Sequence, residues 1–185
     1  MTDPRRSRPE RTPSWHVVTG GPSSGKTTTV NLLRAEGYAT TIEHARHYID
    51  LQRVTGRTTE QIRERQSEFQ RAVVAMQIQQ ERDLDPKQTV FLDRALPDSL
   101  AYYRFLGIAP DPALQDAIAQ ARYATVFVLD LLPLASDYAR TEDPAAQQRS
   151  HEVIMQVYRE LPFPVVRVPA LPPAERVDFI LERAR

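Results

Sequence analysis

No cysteine occurs among the 185 residues. Disulfides, zinc–thiolate centres and cysteine nucleophiles are thereby excluded, although the redox compartment stays open. No apolar run approaches the roughly 18 residues that a bilayer span needs. The N-terminus carries no apolar h-region, so no secretory signal is read, and a cytoplasmic chain without membrane attachment is expected. A charge excess is missing as well: 24 basic and 24 acidic side chains give a formal net charge of zero. Proteins that hold nucleic acid mainly through charge carry a basic surplus, so nucleic acid is not the expected partner. Lysine is scarce. Among the 24 basic residues only Lys26 and Lys87 are lysine, and Lys26 sits in the most informative motif of the chain.

What is present suits a soluble globular domain. Hydrophobic residues make up 41% and charged residues 26%, enough apolar material for one sizeable core. Residues 1–14 stand apart, with Pro4, Pro9 and Pro13, four arginines, and no large aliphatic side chain after Met1. They read as a flexible Arg/Pro-rich tail, and residues 15–185 as one domain.

Strand-like and helix-like segments then alternate. Trp15–Thr19 is a short β-branched run ending at Gly20-Gly21. A helix is expected from Lys26 to Glu36, stopped by Gly37. Tyr38–Ile42 reads as a second strand and Glu43 to about Val54 as a helix. Thr58 and Gln61 have capping-box spacing, opening a helix to about Asp83 whose apolar stripe is Ile62, Phe69, Val73 and Met76. Thr89–Leu92 is a third strand closed by Asp93-Arg94. Asp98-Ser99 starts a helix through Leu106, and another runs from about Asp111 to Arg122. Thr125–Leu129 is a uniformly apolar fourth strand. Asp143-Pro144 caps a helix to about Glu160, Val165–Val168 is a fifth strand, and Pro172–Ala184 a closing helix. Five strands separated by helices imply right-handed crossovers and a mostly parallel sheet with helices on both faces. In such sheets ligands bind beyond the carboxyl ends of the strands.

Gly20-Gly21-Pro22-Ser23-Ser24-Gly25-Lys26-Thr27, followed by Thr28, fits the Walker A phosphate loop G-x-x-x-x-G-K-[ST]. Glycines open backbone conformations closed to other residues, the loop amides form an anion cradle, and the following helix adds its dipole. Lys26 supplies charge to the β- and γ-phosphates and Thr27 a hydroxyl for Mg²⁺. Four fixed positions match by accident in on the order of one chain in a hundred of this size. Here the motif also follows a strand and opens a helix, the context that distinguishes a phosphate loop from a glycine-rich turn. The donor site takes ATP or GTP, with ATP the expected nucleotide.

Asp93 and Asp130 each end an apolar strand, and either can be the carboxylate for Mg²⁺. Asp93 is preferred because Arg94 follows it and pairs a metal carboxylate with a phosphate-binding guanidinium. Glu43 follows the second strand at the cleft edge. It reads equally as a general base for an attacking hydroxyl or as an acid complementing a helix dipole. Arg46, three residues on, can bind a substrate phosphate or pair with Glu43. His44 and His47 lack a clear third ligand, so no metal site is expected there. Of Tyr102 and Tyr103 at least one belongs in the core. The polar segment Asp137–Asp143 contains Arg140, and Arg149 lies in the helix beyond. An arginine-bearing lid there would exclude water from the phosphates.

TGGPSSGKTT, IEHAR, FLDRALPDSLAYYRFLG, ARTED and VPALPPAERVDFIL together resemble the AAA-type family of small P-loop kinases, which includes the ribosylnicotinamide kinase domain of a bacterial NAD regulator. The resemblance covers roughly Trp15 to Arg183. The Asp93-Arg94 segment with Ser99 and Tyr102 is also similar to the Asp-Arg motif of thymidylate and deoxynucleoside kinases. The resemblance implies strand order 2-3-1-4-5 and a lid. It also implies a catalytic-base role for Glu43, an Asp-Arg role for Asp93 and Arg94, and a lid-arginine role for Arg140. The expected activity is ATP- and Mg²⁺-dependent transfer of a γ-phosphate to a hydroxyl of a nucleoside- or nucleotide-like small molecule. A nucleotide-dependent switch or slow ATPase or GTPase is the alternative, although neither a water-positioning residue nor an effector loop can be named for it. A polynucleotide kinase is disfavoured by the zero net charge.

Overall fold

The computed structural model describes residues 12–47, 58, 61, 66–133 and 144–184. Five parallel strands run β1 (Trp15–Thr19), β2 (Ala39–Thr40), β3 (Val90–Asp93), β4 (Thr125–Leu129) and β5 (Val165–Val168), in sheet order β2-β3-β1-β4-β5. The helices are α1 (Lys26–Ala35), α2 (Gln66–Asp83), α3 (Leu96–Leu106), α4 (Pro112–Gln120), α5 (Pro144–Glu160) and α6 (Pro173–Arg183). The expected sheet and its order are both present.

Strand alternation decides which helix covers which face. Val17, Leu92, Val126 and Val128 point to one side and pack on Ala101 of α3 and on Ile154, Val157 and Tyr158 of α5. Val18, Phe91, Phe127 and Leu129 point to the other and meet Val30 and Leu33 of α1 and Val177 and Ile180 of α6. A smaller cluster of Val74, Leu96, Tyr103, Leu114 and Ile118 holds α2 and α4 against α3. Tyr103 is thus a core residue, as expected of one of the two tyrosines.

Several local expectations need correction. β2 has only two residues, and Ile42 is exposed: beyond Thr40 the chain departs from the sheet edge after one more bond, from Thr41 N–H to Phe91 O. A helical turn occupies residues 44–47, and the rest of the helix expected to Val54 lies outside the described residues, as does Ile62. The Thr58–Gln61 capping box is formed, each side chain accepting the other's backbone N–H (3.0 and 3.3 Å). In α2 the buried face is Gln70, Val73, Val74, Gln77 and Glu81, while Phe69 and Met76 are only half-buried. Gln77 and Glu81 go inward because they have buried partners. Glu81 accepts from Tyr123 Oη (2.7 Å), Gln77 Nε2 (2.8 Å) and the Leu96 N–H (3.2 Å). Asp98 does not begin α3 but lies in its first turn, where its carboxylate accepts the Ala95 N–H at 3.0 Å. No helix among the described residues is long and apolar enough to cross a membrane.

Candidate functional site

The phosphate loop leaves β1 at Gly20 and enters α1 at Lys26. Gly20 (φ 141°) and Gly25 (φ 82°) occupy backbone conformations that suit glycine. Space reinforces the requirement: a Cβ on Gly20 would meet Leu129 O at 2.5 Å, and one on Gly25 would strike the Arg176 guanidinium. Lys26 Nζ donates to Gly21 O (2.7 Å) and to Ser24 Oγ (3.3 Å), folded over the loop it serves. Burial pulls its ammonium down to about 7, and Arg94 adds to the effect against the opposing pull of Glu43, Asp98 and Asp93.

Sheet register brings the carboxylate to the loop. Val18 of β1 pairs with Asp93 of β3, so Asp93 ends its strand beside the point where the loop begins. Its backbone N–H donates to Thr41 Oγ1 at 2.9 Å, while its Oδ1 is buried without a hydrogen-bond partner. Burial, with Glu43 next, pushes the Asp93 carboxyl up to about 6, against Arg94 and Lys26. Thr27, Asp93, Glu43, Arg46 and His47 line one cleft of about 240 Å³. A hydroxyl and an open carboxylate oxygen suit Mg²⁺, which completes its shell with water and phosphate oxygens. The residues present therefore fit Mg²⁺ at Thr27 and Asp93. Asp130 is otherwise engaged, accepting from Arg167 Nε at 2.6 Å.

That contrast supplies a prediction. Asp93→Asn should raise the Mg²⁺ concentration needed for half-maximal nucleotide turnover by about tenfold or more, on the scale of lost metal-site partners. Asp130→Asn should leave it unchanged. A Mg²⁺ titration of both variants decides between them, and the reverse ranking would move the metal carboxylate to β4.

Arg94 follows Asp93 with φ 67°, a left-handed conformation that costs a non-glycine residue about 1–3 kcal/mol. Its side chain is held on three sides. Nε donates to Glu43 Oε1 at 3.1 Å, Nη1 donates to Asp98 Oδ1 at 3.3 Å, and the guanidinium lies 5.3 Å from the Tyr102 ring centroid. Glu43 Oε2 is 4.0 Å from Arg46 Nε. The structure thus brings Lys26, Thr27, Asp93, Glu43 and Arg94 together at the carboxyl edge of the sheet. Thr28 is exposed in the first turn of α1. His44 is buried, and among the described residues no cluster of three or more His, Asp or Glu side chains could hold a metal. Arg140 lies outside the described residues. Arg149 is exposed on α5.

Three loop-bracing residues were missed by sequence reading. His151 Nδ1 accepts the Gly21 N–H at 3.1 Å, which fixes Nδ1 as unprotonated; burial also pulls the imidazole below its usual range. Gln147 Nε2 donates to Pro22 O at 2.8 Å. Arg176, 2% exposed, donates through Nη1 to Ser24 O (3.1 Å) and through Nη2 to Leu171 O (2.9 Å). The loop is therefore clasped from α5 and from α6.

The model of a family described as AAA domain matches residues 15–176. No curated protein matches the sequence. Among solved structures, the NadR protein in complex with NR superposes with a TM-score of 0.68 at 20% identity, covering 92% of this chain and 49% of that one. The chain thus spans about half the length of the NadR protein. Thymidylate kinase from Ehrlichia chaffeensis gives a TM-score of 0.65 at 14% identity, covering 92% and 98% of the two chains. Deoxyadenosine kinase from M. mycoides gives 0.61 at 13%, covering 91% and 97%. At these identities the likeness is one of fold, that of small P-loop kinases. With its family model matched over nearly the whole described length, the chain belongs to this AAA-domain family of P-loop proteins.

Proposed function

We propose that the protein is a kinase that transfers the γ-phosphoryl group of ATP to a hydroxyl of a nucleoside- or nucleotide-like small molecule. The observation that carries this reading is the convergence of Lys26, Thr27, Asp93, Glu43 and Arg94 on one strand-end edge. A site that only held nucleotide would need the first three. The Glu43–Arg94 pair adds a proton acceptor and a cation beside them, the groups that attack by a hydroxyl requires.

In this reading the loop amides and Lys26 bind the triphosphate, and Thr27 and Asp93 hold Mg²⁺. The metal, when bound, supplies positive charge to the phosphate oxygens. Glu43 takes the proton of the acceptor hydroxyl. Arg94 neutralises charge that develops on the transferred group, with Arg140 and Arg149 as further cations. Residues 15–185 act as the kinase domain, and residues 1–14 as a tail outside it.

The test is a panel of nucleosides, nucleotides and sugars offered with Mg²⁺ and ATP. At least one acceptor is expected to raise ADP release above the rate with water and to gain one phosphate by mass. ADP release that no acceptor accelerates would replace the kinase reading with that of a slow nucleotide hydrolase.

A further inference from the structure

Asp98 is a charged side chain in an unusual position. It is 2% exposed, and burying a carboxylate is costly unless it is fully paired. It is paired to capacity. Oδ1 accepts from the Thr19 hydroxyl and from Arg94 Nη1 (3.3 Å), and Oδ2 accepts from the Ala95 N–H (3.0 Å) and from Tyr158 Oη (2.6 Å). Four donors saturate an ionised carboxylate, so Asp98 has nothing left to offer a ligand and acts only through its partners.

Those partners come from both halves of the site. Thr19 is the last residue of β1, immediately before the phosphate loop. Arg94 and Ala95 form the turn between β3 and α3. Tyr158 belongs to α5, whose Gln147 and His151 clasp Pro22 and Gly21. Closing the first turn of α3 would require only the Ala95 N–H. The remaining three donors have no part in capping, and one of them is the arginine that faces Glu43. Nη1 is tied to Asp98 and Nε to Glu43, so the guanidinium plane is fixed by two carboxylates on different elements.

We propose that Asp98 is a positioning residue for phosphoryl transfer, holding Arg94 in the orientation in which it meets the transferred group. The inference rests on the kinase reading of the cleft. Its test is a double-mutant cycle in single-turnover ADP formation from Mg²⁺ and ATP with water as acceptor, alongside affinity for a fluorescent ATP analogue. Asp98→Asn keeps the shape but presents an amide to donors. It should lower turnover on the order of 10²-fold, as a misplaced catalytic group does, while ATP affinity stays within about threefold of the parent. In an Arg94→Ala background the same change should have almost no further effect on turnover, because the group it positions is gone.

A merely structural Asp98 would instead lower turnover by the same factor in both backgrounds, and that result overturns the proposal. Tyr158→Phe removes one donor and provides a second, milder cycle if Asp98→Asn does not fold. Its effect on turnover should likewise vanish with Arg94→Ala, and persistence there counts against the proposal. If Arg94→Ala alone leaves turnover at the parental rate, it is the assignment of Arg94 that fails. A turnover loss in Arg94→Ala with additive Asp98→Asn sinks only the role given to Asp98.

Discussion

Lys26→Ala should reduce phosphoryl transfer on the order of 10³-fold, at or above the upper range for removing one preorganised charge-stabilising donor, and should weaken triphosphate binding. Lys26 is the loop's only cation, and the chain's other lysine, Lys87, lies exposed in the turn before β3, so no second lysine can substitute. The variant should also fold. Burial holds the ligand-free ammonium down at about 7, against a much higher value in the unfolded chain. The sign follows: a base with a depressed folded value is a burden to the fold when charged, most of all below pH 7, and removing it does not remove a stabilising charge. The melting temperature at pH 7 should therefore stay near the parental value.

The same depression gives a direct readout. Burial makes Lys26 of the free site easier to deprotonate than a free lysine, and incoming phosphate favours its charged form. Metal-free ADP, fully ionised at pH 8, should then bind with net proton uptake there, and its affinity should fall as pH rises above 8. Calorimetry in two buffers of different ionisation enthalpy measures this, and Lys26→Ala should abolish the uptake. A fully active, folded Lys26→Ala would end the phosphate-loop reading.

What could be read from the sequence follows from the range of the interactions. Gly20–Thr27 and the strands β1, β3, β4 and β5 are local patterns, and they stand within a residue of where periodicity and glycine placement put them. The residues that escaped are joined to the site across the chain. Thr19 and Asp98 are 79 positions apart, Tyr158 and Asp98 60, Gly21 and His151 130, Ser24 and Arg176 152. No spacing rule connects such pairs. One signal was nevertheless available. The buried stripe of α5 reads Gln147, Ser150, His151, Ile154, Val157 and Tyr158, apolar toward its C-terminal half and polar toward its start. A helical stripe that turns polar while keeping its period marks where a helix leaves the core and enters a site. In α2, Gln77 and Glu81 broke the expected apolar stripe for a related reason: Tyr123 and the first turn of α3 required an acceptor. β2 was overextended because β-branched residues at a sheet edge look the same whether or not they are paired.

Glu43→Gln should separate chemistry from binding. The carboxylate sits between Arg94 and Arg46 at the edge of the cleft that holds Thr27 and Asp93, and a positioned base contributes about 10²–10⁴-fold in rate. The amide keeps the shape and retains an oxygen that can accept from Arg94 Nε, so the arginine keeps its anchor while the proton acceptor is lost. ATP affinity should stay close to the parental value, and single-turnover transfer to an active acceptor should fall within that range. Glu43→Ala, which removes the anchor too, should be no more active than Glu43→Gln. The comparison distinguishes two roles with the same geometry. If Glu43→Gln transfers at the parental rate and only Glu43→Ala fails, the carboxylate serves to hold Arg94, and the proton of the acceptor leaves by another route. If both fail while nucleotide binding persists, the proton goes to Glu43, held at the cleft edge in the short connection between β2 and the helical turn of residues 44–47.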